Sequence, residues 1–210
     1  MVLYLSGSVS GMTAQACRWR SDMGLLRTPV EGSILPDGVI WAADHATWQG
    51  TDDVLTGFWR YVRWLAGHDG EQLARCLFVT IPDVYADAGA TYRRGMTFLP
   101  LLAQLGLPLA WVAQDGLRTD LVPWGAIRCL FIGGTVTWKL SARARSWCEE
   151  ARARGKHVHV GKVNTFKRLR QMSQYADSVD GTCIAYGPDA NLSELEAWLN
   201  GLNQQTTLQL

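Results

Sequence analysis

The sequence has little that would hold a fold together through disulfides or a metal ion. Its five cysteines are odd in number and widely spaced, and they form no Cys-x-x-Cys pair. A disulfide framework needs paired cysteines, and a structural zinc site needs closely spaced Cys and His ligands, so neither is indicated. We therefore expect a reduced, cytoplasmic protein without a structural metal, and nothing in the sequence calls for a cofactor.

Long apolar runs are also missing. No apolar segment approaches the roughly 20 residues that cross a membrane. The first residues, MVLYLSGSVSG, lack a basic start and have too short an apolar part for a signal peptide. No early Gly-x-Gly-x-x-Gly is present, which argues against a dinucleotide-binding fold. We expect neither a membrane partner nor a nicotinamide or flavin site.

The composition that remains is that of a globular protein. Of the 210 residues, 48% are hydrophobic and 19% are charged, which favours one domain with a single sizeable core. We predict this domain over residues 1–203 and a frayed tail over 204–210. Ten tryptophans are unusually many; most should pack in the core, and one or two could stack on a nucleobase.

Charge is spread unevenly along the chain. The segment Lys139–Arg170 carries ten Lys and Arg residues against two Glu residues, a local charge of +8, which leaves −7 for the rest of a chain of net charge +1. Such a segment is typical of a surface that faces a polyanion. It is equally compatible with a solvated helix face.

Short apolar segments alternate with helical patterns, which indicates parallel β-α-β units covered on both faces. An eighth strand is expected either in the Gly24–Pro29 region or near Cys183. The pattern predicts a compact TIM-like (β/α)8 barrel, with an irregular or shortened unit allowed. The other predicted strands are Val2–Leu5, Val39–Ala43, Leu77–Ile81, Leu109–Ala113, Arg128–Ile132, His157–Val160 and Ser178–Asp180. The predicted helices are Val54–Ala66, Ala86–Leu105, Ser141–Arg154, Thr165–Ala176, with Thr165 as its N-cap, and Leu192–Leu202.

Polar or glycine residues end six of these strands. Because the carboxyl ends of the strands meet at one mouth of such a barrel, these residues should converge there. Three carboxylates, an amide and glycine turns could together hold a polar, planar heterocycle such as guanine. The residues are Asp44, Asp83, Gln114, Gly133 with Gly134, Gly161 and Asp180.

Each of these carboxylates also has a structural interpretation. An Asp after a strand is commonly a helix N-cap, and this applies most to Asp83, because a predicted helix begins at Ala86. It applies less to Asp44 and Asp180, which precede no immediate helix. His157 and His159 share one strand face without a third ligand, so we interpret them as packed in the barrel and predict no metal site.

Several segments together resemble the tRNA-guanine transglycosylase superfamily. The match is closest to its short phage and bacterial branch, the DpdA-type DNA-guanine transglycosylases, which place 7-deazaguanines in DNA. The resemblance covers about residues 1–185. It implies that the protein is located in the cytoplasm, which would be the host's cytoplasm if a phage carries the gene. The segments that carry it are Phe131–Ser141, Gly155–Asn164, Asp177–Thr182, Trp41–Trp48, Pro82–Val84 and Ala113–Gly116.

The resemblance implies a base exchange through a covalent intermediate. Asp180 would be the nucleophile at C1′, and Asp44 would be the general acid and base. Asp83 would bind the N1 and 2-amino edge of the base. Gln114, the amides of Gly133 and Gly134, and the Gly161 turn would complete the base pocket, with O6 and the 7-substituent facing Gln114 and the glycine amides.

The resemblance also implies a polynucleotide track and two partners. The partners are DNA, with the target guanine in a single strand or flipped out, and a free 7-deazaguanine base such as 7-cyano-7-deazaguanine. The phosphates would contact Lys139, Lys162, Asn164, Thr165 and Lys167.

The sequence departs from the family pattern in two places. His45 and Thr47 replace the usual Asn-Gly-x-Phe form, and the Cys/His zinc site of the tRNA enzymes has no counterpart. The second departure favours DNA over tRNA as the polymer. Two alternatives stay open, an N-glycosylase in which water resolves the intermediate and a nucleic-acid- or base-binding barrel without turnover.

Overall fold

Eight parallel strands close into a barrel in the computed structural model of the chain, which describes residues 1–7, 10–30, 35–46, 53–184 and 187–207. Each strand pairs with its neighbour in sequence, and the last strand returns to the first, with Val179 opposite Tyr4. The predicted TIM-like (β/α)8 fold is confirmed. The strands are β1 Leu3–Ser6, β2 Met23–Arg27, β3 Trp41–Ala43, β4 Cys76–Thr80, β5 Leu109–Ala113, β6 Cys129–Ile132, β7 His157–Val160 and β8 Ser178–Gly181.

Helices follow most of the strands and lie around the barrel. The connection from β5 to β6 holds only the 3-10 turn Thr119–Leu121, and the described part of the connection from β2 to β3 holds no helix, so the barrel is irregular. The helices are α1 Gly11–Trp19, α2 Val54–Ala66, α3 Gly70–Ala74, α4 Ala88–Ala103, α5 Val136–Lys139, α6 Ala142–Ala153, α7 Phe166–Met172 and α8 Pro188–Thr207.

Side-chain caps fix where the helices begin. Asp53 caps α2 by accepting from the backbone of Leu55, and Asp87 caps α4 by accepting from Ala90. Asp44 and Asp83 are therefore not the caps of the helices that follow them, which removes the structural interpretation of those two carboxylates. The predicted cap at Thr165 is confirmed, because its side chain accepts from the backbone N–H of Arg168.

The core has two parts, one on each side of the barrel wall. The larger part fills the space between the strands and the helices. The smaller part is a separate cluster of strand residues, and it fills the interior of the barrel because alternate residues of a strand face opposite sides. Cys129 belongs to it and is fully buried. Its other buried members are Leu5, Leu26, Ala42, Phe78, Ala110, Val112 and Phe131.

The structure corrects several element bounds. The eighth strand is β2, which lies in the Gly24–Pro29 region rather than near Cys183. Helices α1, α3 and α5 were not predicted, because each is short or lacks a periodic apolar face. Helix α8 runs from Pro188 to Thr207, so residues 204–207 of the predicted tail are helical rather than frayed, and residues 208–210 lie outside the described chain. Within the described residues, no helix is long and apolar enough to span a membrane.

Candidate active site

A cavity of about 390 Å³ opens at the mouth formed by the carboxyl ends of the strands. Its size lies within the range of about 300–1,000 Å³ that small-molecule pockets occupy. The residues predicted to converge there all line it: Asp44, Asp83, Gln114, Gly133, Gly134, Gly161 and Asp180. Arg94, Tyr85, Phe131, Lys139, Lys162 and Thr182 also contribute to its wall.

The convergence follows from the strand period. Asp44, Gln114 and Asp180 each lie two residues beyond a small or apolar residue that faces the barrel interior or the mouth, so they continue the inward face of their strands. On β5 this face is Ala110, Val112 and Gln114. A shift of one residue would turn the polar side chains into the apolar layer under the helices.

Asp44 is a half-buried carboxyl with few polar partners. Its Oδ1 accepts from the backbone N–H of Ala46 at 3.1 Å and from the Thr80 hydroxyl at 3.3 Å. Burial raises its pKa to about 7, and the nearby Asp83 and Asp180 carboxylates add to the increase, against the opposing effect of the two hydrogen bonds. Asp44 can therefore give and take a proton near neutral pH.

Gln114 is 2% exposed, and its amide is largely committed to the protein. Its Nε2 donates to Asp83 Oδ2 at 2.5 Å, and its Oε1 accepts from the backbone N–H of Ala86 at 2.9 Å. Arg94 donates to the backbone carbonyl of Asp83 at 2.7 Å. Gln114 thus holds Asp83 in place, and its predicted contact with O6 of a base stays a prediction that its second Nε2 hydrogen would have to supply.

Asp180 is buried and is held by N–H groups on both oxygens. His159 Nε2 lies 3.0 Å from Oδ1, and the backbone N–H of Lys162 donates to Oδ2 at 3.2 Å. The left-handed backbone of Lys162, with a φ of 59°, directs that N–H toward the carboxylate. Asp180 and Asp44 thus have different surroundings in one cavity, because Asp180 lies beside His159 and the Lys162 N–H, whereas Asp44 lies near two other carboxylates.

Lys139 lies inside the cavity wall rather than on the surface. It is 6% exposed, and its Nζ donates to the carbonyl of Gly161 at 2.8 Å. Burial lowers its pKa to about 8, and the neighbouring Asp180 carboxylate limits the decrease. Lys139, a predicted phosphate contact, therefore lies in the cavity wall next to Asp180, and its contact with a phosphate stays a prediction.

Neighbouring side chains lie so close to the glycines at the mouth that a Cβ would not fit there. A Cβ on Gly161 would lie 2.6 Å from the Phe131 ring and 3.2 Å from Asp180 Oδ1, and a Cβ on Gly133 would lie 2.9 Å from Gln114 Nε2. The amide of Gly133 donates to the Ala113 carbonyl at 2.9 Å, so it cannot serve as the predicted contact to the base without losing that bond. The predicted role of the Gly134 amide stays a prediction.

The four remaining predicted phosphate contacts lie at the mouth, in the segment that follows β7. Lys162, Thr165 and Lys167 are exposed. The Asn164 side chain is bonded to Thr182, donating to its hydroxyl at 3.1 Å and accepting from its backbone at 2.9 Å. Lys162 Nζ lies 5.8 Å from the centre of the Tyr85 ring.

The basic segment Lys139–Arg170 is not one surface. Arg152 pairs with Asp177 at 2.9 Å, directly before β8, and Lys156 donates to the Ile127 carbonyl, just before β6. Both therefore lie at the amino ends of the strands, on the face opposite the cavity. Arg152 and Lys156 therefore cannot belong to a track at the mouth, whereas Lys162 and Lys167, in the β7–α7 part of the segment, are exposed there.

Two contacts between site residues were not predicted from the sequence, and one of the two residues that depart from the family pattern lies outside the described residues. The bonds from Gln114 to Asp83 and from His159 to Asp180 join different strands, and no local signal in the sequence predicts them. His45 is buried with its ring edge against Tyr61, while Thr47 lies outside the described residues. Among the residues that the structure describes, no three His, Cys, Asp or Glu side chains are grouped so as to hold a metal ion.

The solved structures to which the chain is similar include the following two. The Bacillus subtilis YkuI protein, with an EAL domain, in complex with the substrate c-di-GMP and calcium, aligns with 94% of the chain at 12% identity and a TM-score of 0.41, and the chain spans about half (49%) of its length. A native KDPGal structure aligns with the whole chain and 96% of its own length, at 11% identity and a TM-score of 0.52. The second likeness supports the barrel fold alone. No protein-family model and no curated protein matches the chain.

Proposed function

We propose that the protein is a glycosyltransferase that exchanges guanine for a 7-deazaguanine base in DNA. One observation carries the proposal: the cavity holds a carboxyl whose pKa is raised to about 7, Asp44, together with a carboxylate that accepts N–H groups on both oxygens, Asp180. Two carboxyl groups with opposite environments are the arrangement that separates an acid from a nucleophile. The order of the family segments along the chain supports the same reaction.

In the first step, a carboxylate oxygen of Asp180 forms a bond to C1′ of the target nucleotide. The C1′–N9 bond breaks, its electron pair leaves with guanine, and Asp44 gives its proton to the departing base. The products are a glycosyl ester on Asp180, free guanine and an ionised Asp44. At the start Asp180 acts as the carboxylate, with His159 Nε2, the Lys162 N–H and the Lys139 ammonium beside it.

In the second step, the incoming base replaces guanine in the cavity. Asp44, now ionised, takes the N9 proton of the 7-deazaguanine, N9 forms the bond to C1′, and the ester bond to Asp180 breaks. The carboxylate and the protonated Asp44 are both restored. A pKa of about 7 suits both directions of this proton transfer, because neither protonation state is costly near neutral pH.

Asp83 is the group proposed to recognise the base. A carboxylate can accept from both N1–H and the 2-amino group of guanine, an edge that 7-deazaguanine shares. Gln114 and Arg94 hold the Asp83 residue from the side chain and the backbone, so its position is set before the base arrives. The exposed Lys162 and Lys167 are proposed to contact phosphates on either side of a flipped nucleotide.

The test is the release of label from DNA that carries radiolabelled guanine, measured with and without 7-cyano-7-deazaguanine. Single-stranded DNA, duplex DNA and a tRNA of matched guanine content are compared in parallel. We expect release that depends on the deazaguanine and is fastest from single-stranded DNA, together with a denaturant-resistant protein–DNA adduct when the deazaguanine is omitted.

Each other outcome replaces the proposal with a defined alternative. Release of more than one equivalent of guanine per protein molecule without any deazaguanine would identify an N-glycosylase, in which water resolves the ester. Binding of DNA or base without release would identify a barrel that has no turnover. Release from tRNA alone would keep the chemistry and overturn the choice of polymer.

A further inference from the structure

A row of four polar side chains crosses the interior of the barrel and ends at Asp180. His157 Nε2 lies 2.7 Å from Ser178 Oγ, and His159 Nδ1 lies 2.8 Å from the same oxygen. His159 Nε2 then lies 3.0 Å from Asp180 Oδ1. The row alternates between the neighbouring strands β7 and β8, and it connects the lower barrel to the cavity.

The chemistry of the groups fixes the direction of these hydrogen bonds. An ionised Asp180 can only accept, so His159 carries a proton on Nε2. In a neutral ring Nδ1 then carries no proton, and it accepts a hydrogen bond from the Ser178 hydroxyl, which has one proton to donate. Ser178 Oγ is left to accept from Nε2–H of His157. The neutral row therefore has one arrangement of protons, and it fixes the tautomer of both histidines.

Aromatic rings enclose the middle of the row. The His159 ring is 0% exposed and lies between Phe78, at 4.9 Å, and Phe131, at 4.4 Å between ring centres. The Asp180 carboxylate already has the Lys139 ammonium and the Lys162 backbone N–H beside it.

Charged groups lie near both ends of the row. At the upper end, Asp44 and Lys139 interact with Asp180. At the lower end, Asp177 and Arg152 act on His157 from the residue before β8 and from α6, and they form an ion pair with each other at 2.9 Å. Burial lowers the pKa of His157 to about 4, so this ring is neutral near pH 7.

We propose that His159 is a positioning residue for Asp180, and that Ser178 and His157 hold it in the Nε2–H tautomer. The role in catalysis rests on the proposed function, in which Asp180 is the nucleophile. With Oδ1 bonded to His159, the carboxylate plane is fixed toward the cavity. Without Ser178, the His159 ring is free to take the Nδ1–H tautomer, and its bare Nε2 would then repel the carboxylate.

The tautomers are measured directly by long-range ¹H–¹⁵N NMR of protein labelled at its four histidines. Spectra of His157→Gln and His159→Gln assign the two signals of interest. We expect both rings to be neutral Nε2–H tautomers at pH 7. In Ser178→Ala we expect His159 to shift toward the Nδ1–H form. A wild-type His159 that carries Nδ1–H, alone or as an imidazolium, overturns the proposal.

The catalytic part is tested by single-turnover base exchange. Ser178→Ala should lower the exchange rate at least roughly 10-fold, the smaller loss found when a group behind a reactive ligand is removed, with an unchanged KM for the deazaguanine. His159→Gln keeps an N–H at the position of Nε2 and should retain more activity than His159→Leu, which keeps only the volume. The control Ser146→Ala removes an exposed hydroxyl on α6 and should exchange at the wild-type rate.

The two proposals fail in different ways. The wild-type protein could exchange no base and still show the expected tautomers and the shift in Ser178→Ala. In that case the proposed function is wrong, and the role of His159 in positioning Asp180 is supported. If the wild-type protein exchanges bases and Ser178→Ala keeps both the rate and the His159 tautomer, the function stands and the positioning role is wrong. Equal activity of His159→Leu and wild type would also overturn it.

Discussion

The two sides of the barrel mouth differ in charge and in how they hold their carboxylates. The side built by β3, β4 and β5 carries Asp44, Asp83 and Gln114, and its carboxyl at Asp44 lies among few donors. The opposite side, built by β6, β7 and β8, carries Asp180, which accepts two N–H groups beside a buried ammonium. We call these the acid side and the nucleophile side.

The difference shows how one residue type is placed in two environments, which the two proposed roles require. Burial and two neighbouring carboxylates raise the pKa of Asp44, whereas Asp180 lies beside His159, the Lys162 N–H and the Lys139 ammonium. Neither environment is a property of the residue itself, since both side chains lie at the carboxyl end of a strand. The predictions below remove or exchange the features that make the two sides unlike.

The largest effect is expected on the nucleophile side. Asp180→Asn keeps the shape and replaces the attacking oxygen with a weaker nucleophile, so exchange and the denaturant-resistant DNA adduct should both disappear. The measurement is label release together with gel separation of the adduct. Asp120→Asn, at an exposed ion pair with Arg118, is the matched control and should behave as wild type. Turnover by Asp180→Asn at the wild-type rate would exclude the covalent mechanism.

A smaller loss is expected on the acid side. Asp44→Asn cannot protonate the departing guanine, and base release should slow by about 10²- to 10⁴-fold, the usual contribution of general acid–base catalysis. In the wild-type protein, release should fall as the pH rises through about 7, because Asp44 then loses its proton. The rate of label release between pH 5 and pH 9 checks this. A flat profile in both proteins would remove Asp44 from the mechanism.

Removing the proposed DNA contacts on the nucleophile side should have a moderate effect on DNA binding. Lys162→Gln with Lys167→Gln removes two exposed charges at the mouth, and it should lower the slope of log affinity against log salt for single-stranded DNA by about 1.4, or about 0.7 per phosphate contact. Binding of the free base should change little, since Asp83 is the group proposed to recognise it.

The matched control places the same charge change on the opposite face. Arg75→Gln with Arg154→Gln removes two exposed charges near the amino ends of the strands, and the salt slope should stay at the wild-type value. Equal loss in both double variants would mean that only net charge matters. An unchanged slope in the Lys162 and Lys167 variant would place the DNA elsewhere.

The smallest effect is expected on the free energy of unfolding. Asp44→Asn, which loses activity, should become more stable relative to wild type as the pH rises. The pKa of Asp44 is about 7 in the folded protein against 3.8 as its ordinary value, so the stability that this group contributes is complete below about pH 3.8 and is lost as the pH rises through about 7. Asp44→Asn avoids that loss while its Oδ1 can still accept from Ala46 and Thr80. Relative to wild type, we expect a gain of about 2 kcal/mol on going from pH 4 to pH 8, a value discounted for the partial exposure of the carboxyl. Urea unfolding at both pH values measures it, and an equal difference at both would contradict the raised pKa.

Much of the architecture could be predicted because it follows from local patterns. Apolar strand segments that alternate with helical periods favour a parallel barrel, and the residue after each strand then lies at the mouth. Asp44, Asp83 and Asp180 were placed correctly on that basis. Short elements were missed where the local signal is weak. Helix α5 has four residues, and α1, with the sequence GMTAQACRW, lacks a clear apolar stripe.

Contacts between strands were less predictable. The sequence alone determined that the chain forms an alternating barrel and that carboxylates, an amide and glycines meet at one end, because strand period and strand direction are set by neighbouring residues. Only the tertiary structure decided that Gln114 holds Asp83, that His159 holds Asp180, that Lys139 faces inward, and that Arg152 lies on the far face. Hydrogen bonds and desolvation depend on distances across the closed barrel, and those distances are fixed only when β8 pairs with β1.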